Sequence, residues 1–229
     1  MSSKPFTVMT MRQGSPEWLQ ARCGIFTASR AGEVFAKTQK GDWTAKRKDY
    51  RTELVLEHTT GKPTPDKFQS RDMLNGIERE ARAIRAYENI HGIVTRSVGF
   101  VLDNEAPIGC SPDGVIGDFD GLVQAKCPKA STHLETLRVH RLWLERDKHG
   151  GPMQVLPKEY QDQVRHELYV TGAAWCDYFS YHPDFPLTLQ AVTIRVTRED
   201  AALEDYARDV RAFLDEVNAE CEQIAGWAA

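Results

Sequence analysis

The spacing of apolar residues changes near residue 93, and this change constrains the fold more than any other feature of the chain. Before it, apolar side chains recur every three or four residues, which is typical of amphipathic helices. After it, runs rich in β-branched and aromatic residues are separated by Gly, Pro, Asp and Asn, which is typical of strands. We expect strands at 93–102, 121–126, 175–181 and 189–196.

Helical segments surround these strands. Ser15-Pro16-Glu17 combines a capping serine, a proline and an acid, which favours a helix start, and this helix should stop at Gly24. Further helices are predicted from Thr27 through Phe35, at 49–59, around Ile77–Tyr87, at 157–172, and from a capping box at Thr197–Asp200 to the end of the chain. This order predicts an α/β (α+β) fold with a central mixed β-sheet flanked by helices. Because no internal repeat or low-complexity tract interrupts it, we expect one domain over residues 1–229.

Composition narrows the classes of protein. The 229 residues are 41% hydrophobic and 27% charged, which is ordinary for a globular protein. Since no apolar run approaches a membrane span and the N-terminus lacks the apolar core of a signal peptide, we expect a cytoplasmic protein with no membrane partner. The five cysteines are scattered without a CxxC pair, which argues against zinc, iron–sulfur and disulfide sites. With a net charge of −4, any DNA binding needs a locally positive groove.

The turn Ser111-Pro112-Asp113-Gly114 followed by the strand Gly121–Lys126 carries the most chemistry. Residues two apart on a strand project from the same face, so the side chains of Gln124 and Lys126 should lie together, with Asp113 at the adjacent turn. The side chain of Ala125 points away, but its backbone carbonyl remains available to a metal. A carboxylate at a turn and a lysine on the next strand are typical of a metal site that hydrolyses phosphodiesters.

A second acid is predicted to face the same region. On the helix with the apolar stripe Ile77, Ala81, Ile84 and Tyr87, Glu80 falls in line with the stripe, so its carboxylate points inward. Mg²⁺ takes oxygen ligands in octahedral geometry, and Glu80, Asp113 and the Ala125 carbonyl would supply most of such a site. Lys126 would then orient the attacking water and offset charge on the phosphorane.

Each of these residues alone has a plainer interpretation. Asp113 in a turn sequence is most often a turn aspartate, and Lys126 at a strand end is most often solvated. An inward Glu80 is most simply a member of a buried salt bridge. Only the combined spacing favours a metal site.

Five stretches, in order along the chain, carry a resemblance to a known family. They are EWLQARCGIFTAS (17–29), the helix with Gly76 and Glu80, CSPDG (110–114), GLVQAKCP (121–128) and YQDQV (160–164). In these stretches the chain resembles the PD-(D/E)xK nucleases, and within them the phage lambda exonuclease family of alkaline exonucleases. The resemblance spans most of the chain and implies a restriction-endonuclease-like core.

The resemblance also implies roles for individual residues. By position, Asp113 and Glu80 would be metal ligands, Lys126 the catalytic lysine, and Gln163 a residue of an active-site helix near the nucleophile. Gln124 stands where a further acidic ligand is expected. For the cofactor we expect Mg²⁺, with two ions, or Mn²⁺ in its place.

Three further positions match those that grip the 5′-terminal phosphate in the family, namely Arg22, Ser29 and Ser111. A guanidinium with two hydroxyls makes a good phosphate clamp, although without the family Arg22 is simply a helix-end arginine and the serines are caps. The resemblance implies a ring-shaped homotrimer that threads double-stranded DNA and digests one strand from 5′ to 3′. It further implies a single-strand annealing recombinase as partner, in a bacterial or phage-infected cell.

Gln124 departs from the family pattern, which calls for Glu or Asp. An amide is neutral and offers one carbonyl oxygen, so we expect weaker Mg²⁺ binding and a large loss of rate with fold and DNA binding preserved. Either the natural protein has glutamate here and the amide is a substitution made to trap intact DNA, or the natural sequence carries Gln124 and works poorly or not at all. We favour the first explanation.

Other functions remain open from the sequence. An endonuclease of the same core would digest substrates with a 5′-hydroxyl as fast as those with a 5′-phosphate. A non-catalytic DNA-end-binding module would remain inert after Gln124→Glu, and Gln124 itself favours it. A fold that serves no nucleic acid is favoured slightly by the net acidic charge and opposed by the ordered family stretches.

Overall fold

The structure is a computed structural model that describes residues 5–64 and 71–227, without the side chains of residues 71–78. Its helices are α1 (Pro16–Ala21), α2 (Ala31–Phe35), α3 (Ala45–Thr60), α4 (Arg71–His91), α5 (Ala130–Glu145), α6 (Lys158–Thr171) and α7 (Leu203–Gly226). Its strands are β1 (Phe6–Met9), β2 (Phe26–Thr27), β3 (Phe100–Asp103), β4 (Ile108–Cys110), β5 (Gly114–Ile116), β6 (Gly121–Lys126), β7 (Trp175–Tyr181) and β8 (Ala191–Thr197). Short 3₁₀ turns lie at Ala28–Arg30, Pro152–Gln154 and Leu187–Leu189.

The strands form two four-stranded sheets, each with parallel and antiparallel pairs. The first has the order β1-β3-β4-β2, in which the β2–β4 pair is parallel. The second has the order β5-β6-β7-β8, in which β6 and β7 are parallel and the outer pairs antiparallel. The predicted mixed α/β class is confirmed, although the strands divide between two sheets where one central sheet was expected.

Strand boundaries differ from the sequence pattern mainly at 93–102. Of the strand predicted at 93–102, only the last residues belong to a strand, β3. Arg96 forms an isolated bridge with Val115. Gly99 lies directly against the backbone of residues 9–11 and donates its N–H to Met9 O at 2.9 Å, an approach that a side chain would prevent. The strands that the pattern missed, β1, β2, β4 and β5, are two to four residues long and too short to show a period.

Three helix starts also differ from their predictions. Helix α2 begins at Ala31 and not at Thr27, because Phe26–Thr27 pairs with β4 as strand β2 and a 3₁₀ turn follows it. Helix α3 begins at Ala45, four residues before the predicted start, because the Thr44 side chain accepts a hydrogen bond from the N–H of Arg47. The capping-box bonds between Thr197 and Asp200 do form, with Asp200 Oδ2 accepting from Thr197 N at 2.9 Å. They close a turn, however, and α7 begins at Leu203, after Ala202 with its positive φ of 49°.

Helix α6 contacts strands of both sheets, β3 and β4 in the first and β7 in the second. Its predicted buried stripe is present, with Val164 and Leu168 fully buried and Tyr160 partly so. Burial of an aliphatic side chain of this size stabilises the fold by roughly 1.5–3 kcal/mol. The stripe holds α6 in place, and the adjacent face of the helix is thereby aimed at the end of β4 and at β6.

Helix α4 packs on the second sheet, through β6 and β7. Its inward face carries Ala83 and Tyr87, both fully buried, with Glu80 partly buried one turn before Ala83. The predicted stripe is therefore wrong at Ala81, which is exposed, and the Ile77 side chain lies outside the described part. In the described part of the chain, no helix is both long enough and apolar enough to cross a membrane.

Candidate active site

Asp113 lies in the tight connection between β4 and β5. Its Oδ2 accepts two hydrogen bonds from β6, from the backbone N–H of Ala125 at 2.8 Å and from Gln124 Nε2 at 2.5 Å. The antiparallel pairing of Gly114 with Val123 sets this register. The structure thus places Asp113 against position 124, as the spacing predicted.

Strand β6 presents Gln124 and Lys126 on one face and Ala125 on the other. The side chain of Gln124 is fully buried, Lys126 is partly exposed, and the Ala125 methyl group packs with Val123 and Phe179. Lys126 Nζ lies 5.4 Å from the centre of the Tyr160 ring on α6. The ammonium therefore sits between strand and helix, with access to solvent.

Glu80 approaches from α4. Its pKa is raised to about 7, mainly by burial and also by the charge of Asp113, while the charge of Lys126 opposes the rise. Burial also raises the pKa of Asp113, while Lys126, the N–H of Ala125 and the Gln124 amide oppose that rise. Since α4 packs on β6 and Glu80 feels the charges of both Asp113 and Lys126, the structure brings these three groups near one another.

Gln163 of α6 completes this arrangement, which we call the acid cluster (Glu80, Asp113, Gln124, Lys126 and Gln163). Gln163 Nε2 donates to Gln124 Oε1 at 2.8 Å and to Glu167 Oε1, one helical turn further on, at 3.1 Å. A continuous chain of side-chain hydrogen bonds thus runs from Asp113 through two amides to Glu167.

Glu167 is fully buried. Its pKa is raised to about 8, mainly by burial and also by the charge of Asp113, while Lys126, Gln163 and Cys176 oppose the rise. Burial of an ionised carboxylate costs free energy unless hydrogen bonds or opposite charges compensate for the loss of water.

The donor set offers the oxygen ligands that Mg²⁺ prefers. It carries one negative charge fewer than it would with an acid at position 124. It comprises the carboxylates of Glu80 and Asp113, the Gln124 amide and the Ala125 carbonyl. Among residues 5–64 and 71–227, no three acidic, histidine or cysteine side chains form a group that could hold a metal ion by themselves. A glutamate in place of Gln124 would bring a second carboxylate against Asp113 Oδ2, an arrangement that requires a proton or a cation between the two groups.

The three predicted phosphate-binding residues lie together near α1, and with Trp18 we call them the arginine cluster (Trp18, Arg22, Ser29 and Ser111). Arg22 Nη2 donates to Ser29 Oγ and to Thr27 Oγ1, each at 3.3 Å. The Arg22 guanidinium stacks 4.0 Å from the centre of the Trp18 ring. A cavity of about 80 Å³ opens beside Arg22, Trp18 and Thr27.

Ser111 joins this cluster through Trp18. Its Oγ donates to Gly99 O at 2.7 Å and accepts from Trp18 Nε1 at 3.1 Å. Ser111 is two residues before Asp113, and the buried Cys110 feels both the charge of Arg22 and that of Glu167. The segment 110–113 therefore connects the two clusters.

Comparison with known proteins identifies the family. The model of the YqaJ-like viral recombinase domain matches residues 17–174, which include every site residue named above. The chain belongs to this family. A comparison with curated protein sequences found no match.

Solved structures agree with this membership. The chain is similar to the alkaline exonuclease LHK-Exo from Laribacter hongkongensis, with 33% identity over 93% of this chain and 98% of that chain and a TM-score of 0.75. The complex of LHK-Exo with dAMP matches with the same identity and coverage and a TM-score of 0.76. A phage-related exonuclease from Haemophilus somnus 129PT shares the fold, with 12% identity over 90% of this chain and 96% of that chain and a TM-score of 0.63.

Within this YqaJ-like recombinase domain, the sequence pattern missed two residues that touch the candidate site. Trp18 bridges Arg22 and Ser111, and its place inside the stretch EWLQARCGIFTAS was the available indication. Glu167 follows Gln163 by four residues, so helical spacing alone would have placed it on the same face.

Proposed function

We propose that the chain is a metal-dependent deoxyribonuclease that digests one strand of linear double-stranded DNA from 5′ to 3′ and leaves 3′ single-stranded overhangs for recombination. Membership of the YqaJ-like recombinase family and the similarity to an alkaline exonuclease support the class of activity. The observation that carries the proposal is the convergence of Glu80, Asp113 and Lys126 from three separate elements.

In this proposal, Glu80 and Asp113 would hold the cation together with the Ala125 carbonyl, and residue 124 would supply a further ligand when it is a glutamate. A bound Mg²⁺ or Mn²⁺ ion, or a pair of them, would supply Lewis-acid activation of water and neutralise charge on the phosphate. Lys126 orients the attacking water and offsets the developing negative charge. Gln163 holds residue 124 in place through its amide.

Positive charge next to the acid cluster supports a DNA substrate despite the net charge of −4. Arg79 and Arg82 border a cleft of about 200 Å³ together with Cys127, which directly follows Lys126. The charges of both arginines reach the Cys127 thiol, as do those of Glu80 and Asp113. A phosphodiester backbone that reaches the acids therefore passes guanidinium groups.

The arginine cluster would recognise the 5′ end. Arg22 would donate to the terminal phosphate, with the hydroxyls of Ser29 and Ser111 beside it. The family resemblance supports two further parts of the proposal, a homotrimeric ring around the duplex and transfer of the single strand to an annealing recombinase.

Gln124 favours a second function, a DNA-end-binding module without chemistry. The amide donates to Asp113, where a metal site needs acceptors only, and it removes one negative charge from the ligand set. In that case both clusters would bind a DNA end, and no cation would be retained.

Comparison of this chain with Gln124→Glu separates these possibilities. Both proteins would be mixed with linear duplex DNA carrying either a 5′-phosphate or a 5′-hydroxyl, with Mg²⁺ or with chelator. The proposal expects digestion by Gln124→Glu that requires Mg²⁺ and a 5′-phosphate, and at least about a hundredfold slower digestion by this chain.

Other outcomes would decide against parts of the proposal. Equal, robust activity in both proteins would remove residue 124 from the metal site. Inertness of both, with retained binding to DNA ends, would favour the non-catalytic module. Equal rates on 5′-hydroxyl and 5′-phosphate substrates would indicate an endonuclease.

A further inference from the structure

We propose that Glu167 is a positioning residue that sets the orientation of the Gln163 amide and, through it, the placement of residue 124 against Asp113. Glu167 is fully buried and so too deep to meet DNA. Its influence on the site must therefore pass through a neighbour.

The contacts of Glu167 identify that neighbour. Oε1 accepts from Gln163 Nε2 at 3.1 Å, whereas Oε2 has only a weak contact with Cys176 Sγ at 3.9 Å. In the described part of the chain Glu167 forms no ion pair. The single short hydrogen bond of this carboxyl group is therefore the one to Gln163.

That bond determines which end of the Gln163 amide faces residue 124. A glutamine amide has nearly the same shape after a half-turn, so its orientation depends on the acceptors around it. Gln124 Oε1 and Glu167 Oε1 both accept from Gln163 Nε2 and so use both amide hydrogens. With Nε2 held from two sides, the Gln163 carbonyl oxygen is directed away from both partners.

The same orientation suits either residue at position 124. Gln124 turns its Oε1 to Gln163 because its Nε2 is engaged by Asp113. A glutamate at 124 presents only acceptors, which again requires the Nε2 of Gln163. Loss of the Glu167 acceptor would release the Gln163 amide to rotate, and residue 124 would lose its fixed partner.

Three variants separate this role from a merely structural one. Glu167→Met has similar length and no acceptor, Glu167→Gln keeps an acceptor without charge, and Cys176→Ala removes only the second contact of Glu167. Each would be made in this chain and in Gln124→Glu, with urea unfolding to confirm that the variants are folded.

The first readout does not depend on activity. In ¹H–¹⁵N spectra, the side-chain amide signals of Gln163 and Gln124 should move in Glu167→Met and the amide protons of Gln163 should exchange faster with water. The same signals should stay in place in Cys176→Ala and keep slow exchange in Glu167→Gln. Unmoved signals in Glu167→Met would overturn the proposal.

Only the second readout rests on the proposed nuclease activity. In the Gln124→Glu background, kcat on 5′-phosphorylated duplex should fall about tenfold or more in Glu167→Met with KM nearly unchanged, and Glu167→Gln should stay within about threefold of the parent. An undiminished kcat in Glu167→Met would overturn the proposal, and so would equal losses in both variants, since charge would then be what matters. A parent without any activity would refute the proposed function and leave the amide spectra to decide the role of Glu167.

Discussion

The acid cluster and the arginine cluster lie at opposite ends of the segment 110–113, yet they hold their side chains by different means. In the acid cluster, every group except Asp113 stands on a helix or a strand, and the pKa of Glu80 is raised to about 7, mainly by burial. The pKa of the neighbouring Glu167 is raised to about 8 for the same reason. In the arginine cluster, only Trp18 lies within an α-helix or a strand, Ser29 is exposed, and Arg22 stacks on the Trp18 ring. The comparison shows a buried group of acids with raised pKa values next to a more exposed cluster built around one guanidinium.

The two clusters also differ in whether their polar atoms are already engaged by neighbouring groups of the protein. Ser111 already donates to Gly99 O and accepts from Trp18, so binding of a phosphate requires its hydroxyl to turn. The acids, by contrast, are held together in spite of their mutual repulsion, and a cation would relieve that repulsion.

The largest effect should come from Asp113→Asn in the Gln124→Glu background. Removal of a carboxylate from the acid cluster should lower the rate of digestion by about a thousandfold, because both charge stabilisation and water activation depend on it. Binding to 5′-phosphorylated duplex, measured in chelator, should change little because the arginine cluster is intact. Equal losses of binding and rate would mean that the two clusters are not separate in function.

The buried acid next to the first cluster should make stability depend on pH. The raised pKa of Glu167 means that the folded protein keeps a proton that the unfolded chain loses above its usual pKa of 4.5, so stability falls as pH rises from there through about 8. Between pH 5 and pH 7, the free energy of unfolding should fall by about 2 kcal/mol more in this chain than in its Glu167→Gln variant.

Urea unfolding of both proteins at the two pH values would check this difference. Asp113, Lys126, Cys176 and Cys110 face Glu167 in both proteins, so their contributions largely cancel in the comparison. Parallel pH profiles would contradict the account, because Glu167 would then titrate alike in the folded and unfolded chains.

The arginine cluster should govern the preference for the 5′ end. Arg22→Lys in the Gln124→Glu background should slow digestion of 5′-phosphorylated duplex about tenfold, since an ammonium cannot form the two-pronged contact with phosphate. Digestion of 5′-hydroxyl duplex should not change. Arg30→Lys is a matched control that borders the same cavity, and its charge is already paired with Glu33 and Glu53. A similar loss of preference in both variants would indicate a general charge effect.

The smallest effect should come from Ser111→Ala. The variant loses the hydrogen bonds to Gly99 and Trp18, which should lower the free energy of unfolding by about 1 kcal/mol. The preference for a 5′-phosphate should weaken by severalfold at most. A loss larger than that of Arg22→Lys would show that the hydroxyl, and not the guanidinium, dominates recognition.

The sequence predicted the acid cluster better than the fold around it, for physical reasons. The two-residue period of β6 put Gln124 and Lys126 on one face. The short turn 111–114 before β5 held Asp113 close to β6, where it contacts Gln124. The helical period placed Glu80 correctly on the inward face of α4 but placed Ala81 there wrongly. A helical wheel defines the edge of a buried face only to within about one residue.

What the sequence could not predict depends on contacts between distant segments. The parallel pairing of β2 with β4 involves two residues on each side, which carry no period of their own. The division into two sheets follows from such pairings. The role of Trp18 depends on Ser111, 93 positions away, and only the folded chain brings them together.

The position of a bound ion would decide whether Glu80 and Asp113 form a metal site. Crystals of this chain and of Gln124→Glu, grown with 5′-phosphorylated duplex and soaked in Mn²⁺, would locate the ion by its anomalous scattering. We expect a peak within coordination distance of Glu80 and Asp113 and beside Lys126, stronger in Gln124→Glu than in this chain. An ion bound elsewhere in both crystals, with Glu80 and Asp113 free of it, would contradict the account.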